Sequence, residues 1–169
     1  MIVGNRKTLF INKGPTIFLQ IVVVFIGIGA LAFMLWEPHL EGRNVNATLF
    51  EIYFKDPFLV YAYTTSIAFF VGLYHAFKLL GFIGKNKVFS PNSVKALRTI
   101  KYCAISLVGF IVAPVAYLFI VRSSDDIAGG IAIGLFLIFA SVVVATTASV
   151  LERILQSAVA TKSGNNLNI

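Results

Sequence analysis

An all-α fold, an integral membrane four-helix bundle, is what this sequence predicts, and three observations carry the expectation. Four apolar runs, each about 20 residues or longer, are long enough as helices to cross roughly 30 Å of hydrocarbon. Of 169 residues, 58% are hydrophobic and only 12% charged, against about 25% charged in soluble domains. Basic residues, finally, alternate by side in the segments between the runs. A soluble chain of this size leaves roughly a third of its surface exposed, so the apolar excess needs lipid or a partner. Net charge +7 suits nucleic acid or an anionic membrane face equally.

The first span is expected at residues 16–36, TIFLQIVVVFIGIGALAFMLW, which carries no charge. Arg6, Lys7 and Lys13 precede it as in a signal peptide, but the apolar core is too long and no small-x-small site follows. Trp36 reads as an interfacial anchor and Glu37 as the first wet residue. In the segment after it, Leu49, Phe50, Tyr53 and Phe54 are spaced to lay a turn on the outer interface. Asp56 is placed to cap the next helix and Pro57 to begin it. Asn46-Ala47-Thr48 is formally a glycosylation acceptor, a pattern loose enough to arise by chance.

The second span, residues 58–80, holds His75 and Lys78 near its end. Tyr61, Thr65, Ala68, Gly72 and His75 fall at helical spacing along it, and small or polar residues on one face let membrane helices approach. Tyr61, Thr65 and His75 form its candidate intramembrane polar site. The third span, residues 100–121, carries a similar stripe of Tyr102, Ser106, Gly109 and Ala113. Its Pro114 cannot donate to the Phe110 carbonyl, so a kink is expected, with that carbonyl turned to a neighbouring hydroxyl or a water. The fourth span, residues 127–152, continues Gly130 and Gly134 with Ser141, Ala145, Ala148 and Glu152. A polar tail from Thr161 is expected to fray. The whole chain, 1–169, reads as one domain.

Between the second and third spans stands GFIGKNKVFSPNSVKALRTIKYC, residues 81–103. Lys78, Lys85, Lys87, Lys95, Arg98 and Lys101 cluster here without an acid, whereas the segment after span one has Glu37, Glu41, Glu51 and Asp56 against Arg43 and Lys55. The positive-inside rule then puts both termini and this middle loop in the cytoplasm. Ser90 is placed to cap a helix with Pro91 at its first position. Val94, Leu97 and Ile100 follow as an amphipathic turn in the inner headgroup layer that runs into span three. Val88 or Phe89 is positioned to staple onto it. Lys85, Lys87, Lys95, Arg98 and Lys101 are the candidate contacts for anionic lipid or a cytoplasmic protein.

Chemistry-bearing patterns are missing. HExxH, GxSxG and GxxxxGK[ST] do not occur, and Gly81 to Gly84 follows a membrane span where a phosphate loop would follow a strand. His75 alone is no metal site, which needs three or four converging ligands. It reads as interior hydrogen bonding or interface placement before proton handling. Cys103, the single cysteine, excludes an internal disulfide and reads as a small apolar filler. No catalytic residue, metal or cofactor is expected. Direct nucleic-acid binding is not expected either, since no reader fold accompanies the charge.

YFKDPFLVYAY (53–63), LYHAFKLLGFIGKNKVFS (73–90), SVKALRTIKYC (93–103) and GGIAIGLFLIFASVVVATTASVLERILQSA in the last span resemble the YoaS-like family of small bacterial membrane proteins. The resemblance covers roughly residues 17–169, and its most specific part is Phe89-Ser90 followed by Val94, Leu97 and Ile100. It implies four helices in a bacterial inner membrane and supplies no activity, ligand or catalytic residue. Many members have an acidic residue soon after the Phe-Ser step. Here Ser93 stands where a capping box would place it, so that cap is expected to be incomplete. Members are often encoded beside a small helix-turn-helix regulator. The expected role is therefore a non-enzymatic membrane interaction or signalling partner of a regulator, with a small transporter or membrane ligand-binding protein as the alternative.

Overall fold

The computed structural model describes residues 13–40, 57–121 and 128–165. These form α1 (Lys13–Leu40), α2 (Pro57–Gly84), α3 (Pro91–Val121) and α4 (Ala128–Asn165), with no strand among the described residues. Each helix contains a stretch long and apolar enough to cross a membrane. The expected outer turn, the Asp56 cap and the acceptor at Asn46 lie outside the described residues.

Each helix outruns its apolar run at one end or at both. At 1.5 Å per residue, the 38 residues of α4 span about 57 Å, nearly twice the hydrocarbon thickness. Hydropathy reports where a helix is apolar, whereas backbone propensity decides where it stops. Beyond Glu152 the sequence RILQSAVATK is rich in good helix formers and lacks Gly and Pro. The tail expected to fray from Thr161 is therefore helical to Asn165, and Thr161 Oγ1 donates to the Ser157 carbonyl at 3.0 Å.

The bundle is open, with α1 on α2, α2 on α3 and α3 on α4, the last pair most extensively packed and the non-sequential pairs barely touching. Close approach depends on missing side chains. A Cβ on Gly84 would stand 2.9 Å from Thr16 Oγ1, and one on Gly27 would stand 3.1 Å from Leu73 Cδ2. These contacts bring the start of α1 against the end of α2, and Tyr63 Oη closes the other end by donating to the Met34 carbonyl at 2.8 Å. In the α3–α4 pair, a Cβ on Gly134 would run into Val115 Cγ2, while Gly130 has nothing within 4 Å. One glycine of that GxxxG step makes the contact.

The small-residue stripe expected to face inward on α3 is on the wrong side. Tyr102 is 59% exposed, Ser106 and Ala113 are exposed, and Gly109 has no neighbour within 4 Å. The packed side of α3 instead runs through Leu97, Ala104, Leu107 and Ile111. In lipid either face satisfies the solvent, so small residues permit close packing without requiring it. Large apolar side chains accordingly point outward, among them Phe25, Trp36 and Phe119 at 69%, 69% and 76% exposure.

Buried apolar contacts gather at one end, where α3 and α4 extend past the hydrocarbon-length stretch. Val94, Leu97, Ala148 and Leu155 form that cluster, with Leu79, Val88, Ile100 and Val159 against it. The turn from Ser90 to Ile100 is thus the first part of α3, and it presents its apolar side to α4. Val88 is the residue that reaches the cluster, while Phe89 is 58% exposed.

Candidate interaction site

The α2–α3 connection is short and closed by its own chemistry. Asn86 adopts φ 55°, the left-handed conformation that a helix C-terminus uses and that Asn tolerates. Asn86 N donates to the Ile83 carbonyl at 3.0 Å and Lys87 N to the Phe82 carbonyl at 2.8 Å. This pair of bonds is the Schellman pattern, and it satisfies carbonyls that the helix end would otherwise leave open.

Four residues on, Ser90 caps α3. Its Oγ accepts from Ser93 N at 3.3 Å, and Pro91 occupies the first helical position. Ser93 is 0% exposed. Its hydroxyl lies 3.1 Å from Ser90 Oγ and donates to the Lys87 carbonyl at 3.1 Å. The cap expected to be incomplete is instead completed in another direction. A serine is short enough to be buried here, and it ties the helix start to the loop where an acid would have reached the cap's own N–H.

One turn further, a carboxylate from the far end of the sequence enters. Arg98 Nε donates to Glu152 Oε1 at 2.7 Å, and Lys101 Nζ donates to Glu152 Oε2 at 2.6 Å. The Glu152 side chain is only 7% exposed, against 20% for Lys101 and 50% for Arg98. Each carboxylate oxygen thus has its own cation, and the charged form is favoured. Three spaced residues, Ala148, Glu152 and Leu155, place this pair beside the apolar cluster on the α3-facing side of α4.

The basic residues singled out from sequence therefore divide into two groups. Arg98, half exposed, and Lys101, mostly covered, are ion-paired to Glu152. Lys85, Lys87 and Lys95 are exposed and have no acidic partner among the described residues. Lys78 is exposed and lies 4.9 Å from the Tyr74 ring centre. Reasoning from the sequence missed Glu152 and Ser93 as organising residues. The available signal was that Glu152 is the single acid from residue 127 to the end of the chain, facing a run of six bases.

The candidate polar site on α2 is split. Tyr61 and Thr65 line a cavity of about 660 Å³ between α2, α3 and α4, together with Gly72, Cys103, Pro114 and Ser141. Tyr61 Oη donates to the Phe110 carbonyl at 2.6 Å, the acceptor that Pro114 leaves without its helical donor. The two rings also meet edge to face, with centroids 5.9 Å apart. His75 is not among the lining residues. Its Nδ1 lies 2.9 Å from the Val71 carbonyl and its ring meets Tyr74 edge on. No group of three or more His, Cys, Asp or Glu able to hold a metal occurs among the described residues.

Residues 45–169 match the family described as "Protein of unknown function (DUF2975)". The chain is 44% identical over 161 residues to a protein of Bacillus subtilis (strain 168) named "Uncharacterized membrane protein YoaS", covering 94% of this chain and 99% of that one. No solved structure matches. Match and likeness agree with the resemblance carried by the middle loop and the last span; the family is of unknown function, and the relative is named as a membrane protein without an assigned activity. This chain, with four helices long and apolar enough to cross a membrane, belongs to the DUF2975 family of proteins of unknown function.

Proposed function

We propose that this protein is a non-enzymatic interaction module of the bacterial inner membrane, a signalling or tethering partner of a cytoplasmic regulator. The observation that carries the reading is the division of the basic residues. Glu152 pairs with both Arg98 and Lys101, while Lys85, Lys87 and Lys95 remain exposed, without an acidic partner among the described residues, around a capped loop. A preformed cationic face loses little entropy when an anionic surface binds it. Anionic inner-leaflet lipid and the acidic face of a cytoplasmic protein are its partners in this reading, and no catalytic group accompanies it.

The orientation comes from charge, with both termini and the α2–α3 loop in the cytoplasm. Single cysteines at Asn46 and Lys85, in a Cys103→Ser background, test it by labelling with an impermeant maleimide. Label at Asn46 from outside and at Lys85 only after permeabilisation is expected. The reverse pattern overturns the orientation, and label at both positions from outside overturns the four-span topology.

Crosslinking in native membranes, with partners identified by mass spectrometry, tests the function itself. Each lysine near an anionic surface is worth about 1 kcal/mol, so replacing Lys85, Lys87 and Lys95 together by Ala should weaken capture by roughly 100-fold. His75→Ala should leave capture intact. Undiminished capture by the triple variant would sink the proposal.

A membrane ligand-binding protein is the second reading, favoured by the cavity between α2, α3 and α4. A transport role gains nothing comparable, because the lining residues include no charged side chain.

A further inference from the structure

We infer that the cavity between α2, α3 and α4 is a binding site for one long hydrocarbon chain of a membrane lipid. This deepens the second, ligand-binding reading and does not depend on the basic face docking a partner. The cavity extends along α2 from Tyr61 to Ala76 and along α3 from Ile100 to Pro114. Fourteen or fifteen residues at 1.5 Å each make it about 21 Å long. Its 660 Å³ lies along that length as a slot, not as a round pocket. A single extended hydrocarbon chain matches that shape.

The lining selects against other occupants. It contains no Asp or Glu to attract a cationic compound. Of its four hydroxyls, those of Tyr61, Thr65 and Ser66 already donate to main-chain carbonyls. Ser141 alone retains a donor to offer, and a trapped water needs two to four polar partners, so the cavity does not hold a column of water. Nor does it stand empty, since apolar side chains facing a gap forfeit dispersion contacts that a filling chain restores. α1 reaches the cavity only through Met34. The phase beside the remaining opening is lipid, whose chains are the filling of matching chemistry.

The length carries a further consequence. At about 21 Å the slot exceeds the roughly 15 Å of one leaflet, half of the hydrocarbon thickness, so the bound chain crosses the bilayer midplane. Annular lipid packed against an ordinary outer helix face does not do so.

The experiment uses the full-length protein reconstituted in phosphatidylglycerol vesicles containing a phospholipid with a diazirine near the end of one acyl chain. Photolysis and peptide mapping then locate the adducts. Labelling of Leu107, Ile111 and Ala140 is expected to exceed that of the outward Phe25, Phe119 and Phe136 at least fivefold. Ala68→Leu with Ala140→Leu narrows both walls and should bring Leu107 and Ile111 down to the level of the outward positions, which stay unchanged. Should the double variant fail to fold, Ser141→Leu, a single change in the lining, makes the same comparison. Equal labelling of lining and outward positions in the unaltered protein overturns the inference. So does preferential labelling that the filling substitutions leave untouched, which would place the chain outside the slot. Neither outcome bears on partner capture by the lysine face.

Discussion

Replacing Glu152 by Ala is expected to lower the stability of the purified protein by about 2 kcal/mol. Breaking a fully buried ion pair costs about 3–5 kcal/mol, because the abandoned charges remain desolvated. The loss here is smaller, since Arg98 is half exposed and its guanidinium can turn to water. Lys101, at 20% exposure, has less freedom to do so. Thermal or denaturant unfolding in one fixed detergent measures the effect. Arg98→Ala should cost less than Glu152→Ala, because it leaves the Lys101 bond in place. Raising salt to 1 M should change the ranking little, as a carboxylate at 7% exposure is poorly screened. A Glu152→Ala protein within about 0.5 kcal/mol of the unaltered one, the range of an ordinary surface substitution, would refute an organising role for this carboxylate.

Tyr61→Phe should destabilise by about 1–2 kcal/mol, and Pro114→Ala should rescue most of that loss. The phenol donates to the Phe110 carbonyl at 2.6 Å. Without the hydroxyl, that carbonyl faces an apolar cavity and has lost both its helical donor and its substitute. Alanine at position 114 restores a backbone N–H four residues after Phe110, so the tyrosine becomes dispensable. A double-mutant cycle should therefore return a coupling of about 1 kcal/mol, typical of groups sharing one hydrogen-bond network. Additive effects would mean that the hydroxyl does not stand in for the helical donor that Pro114 removes. The edge-to-face contact is kept in Tyr61→Phe, which makes the cycle a clean separation of the two contributions.

Much of the loop end was legible one residue at a time. Ser90 followed by Pro91 marked the start of α3, and the structure begins that helix at Pro91. The Phe110 carbonyl was expected to seek a hydroxyl, and Tyr61 supplies it. Both readings rest on local backbone accounting, in which a donor or acceptor left over must find a partner. Local accounting reaches less far at Ser93, where the side chain has two directions available. Ser93 is fully buried, and its hydroxyl takes the Lys87 carbonyl.

The sequence by itself determined that four stretches cross a membrane, which loop carries the excess cations, and where the middle helices start. Those properties depend on transfer into hydrocarbon and on neighbouring residues, both of which a linear chain displays. Only the tertiary structure decided which side of α3 meets its neighbours, that Gly134 and not Gly130 closes on Val115, and that Glu152 claims Arg98 and Lys101. In lipid nearly every helix face is apolar, so the solvent ranks none of them, and shape and residual charge settle the pairing. Arg98 and Glu152 are 54 residues apart in the chain. Their meeting is a property of how α3 and α4 pack, which no spacing within either helix displays.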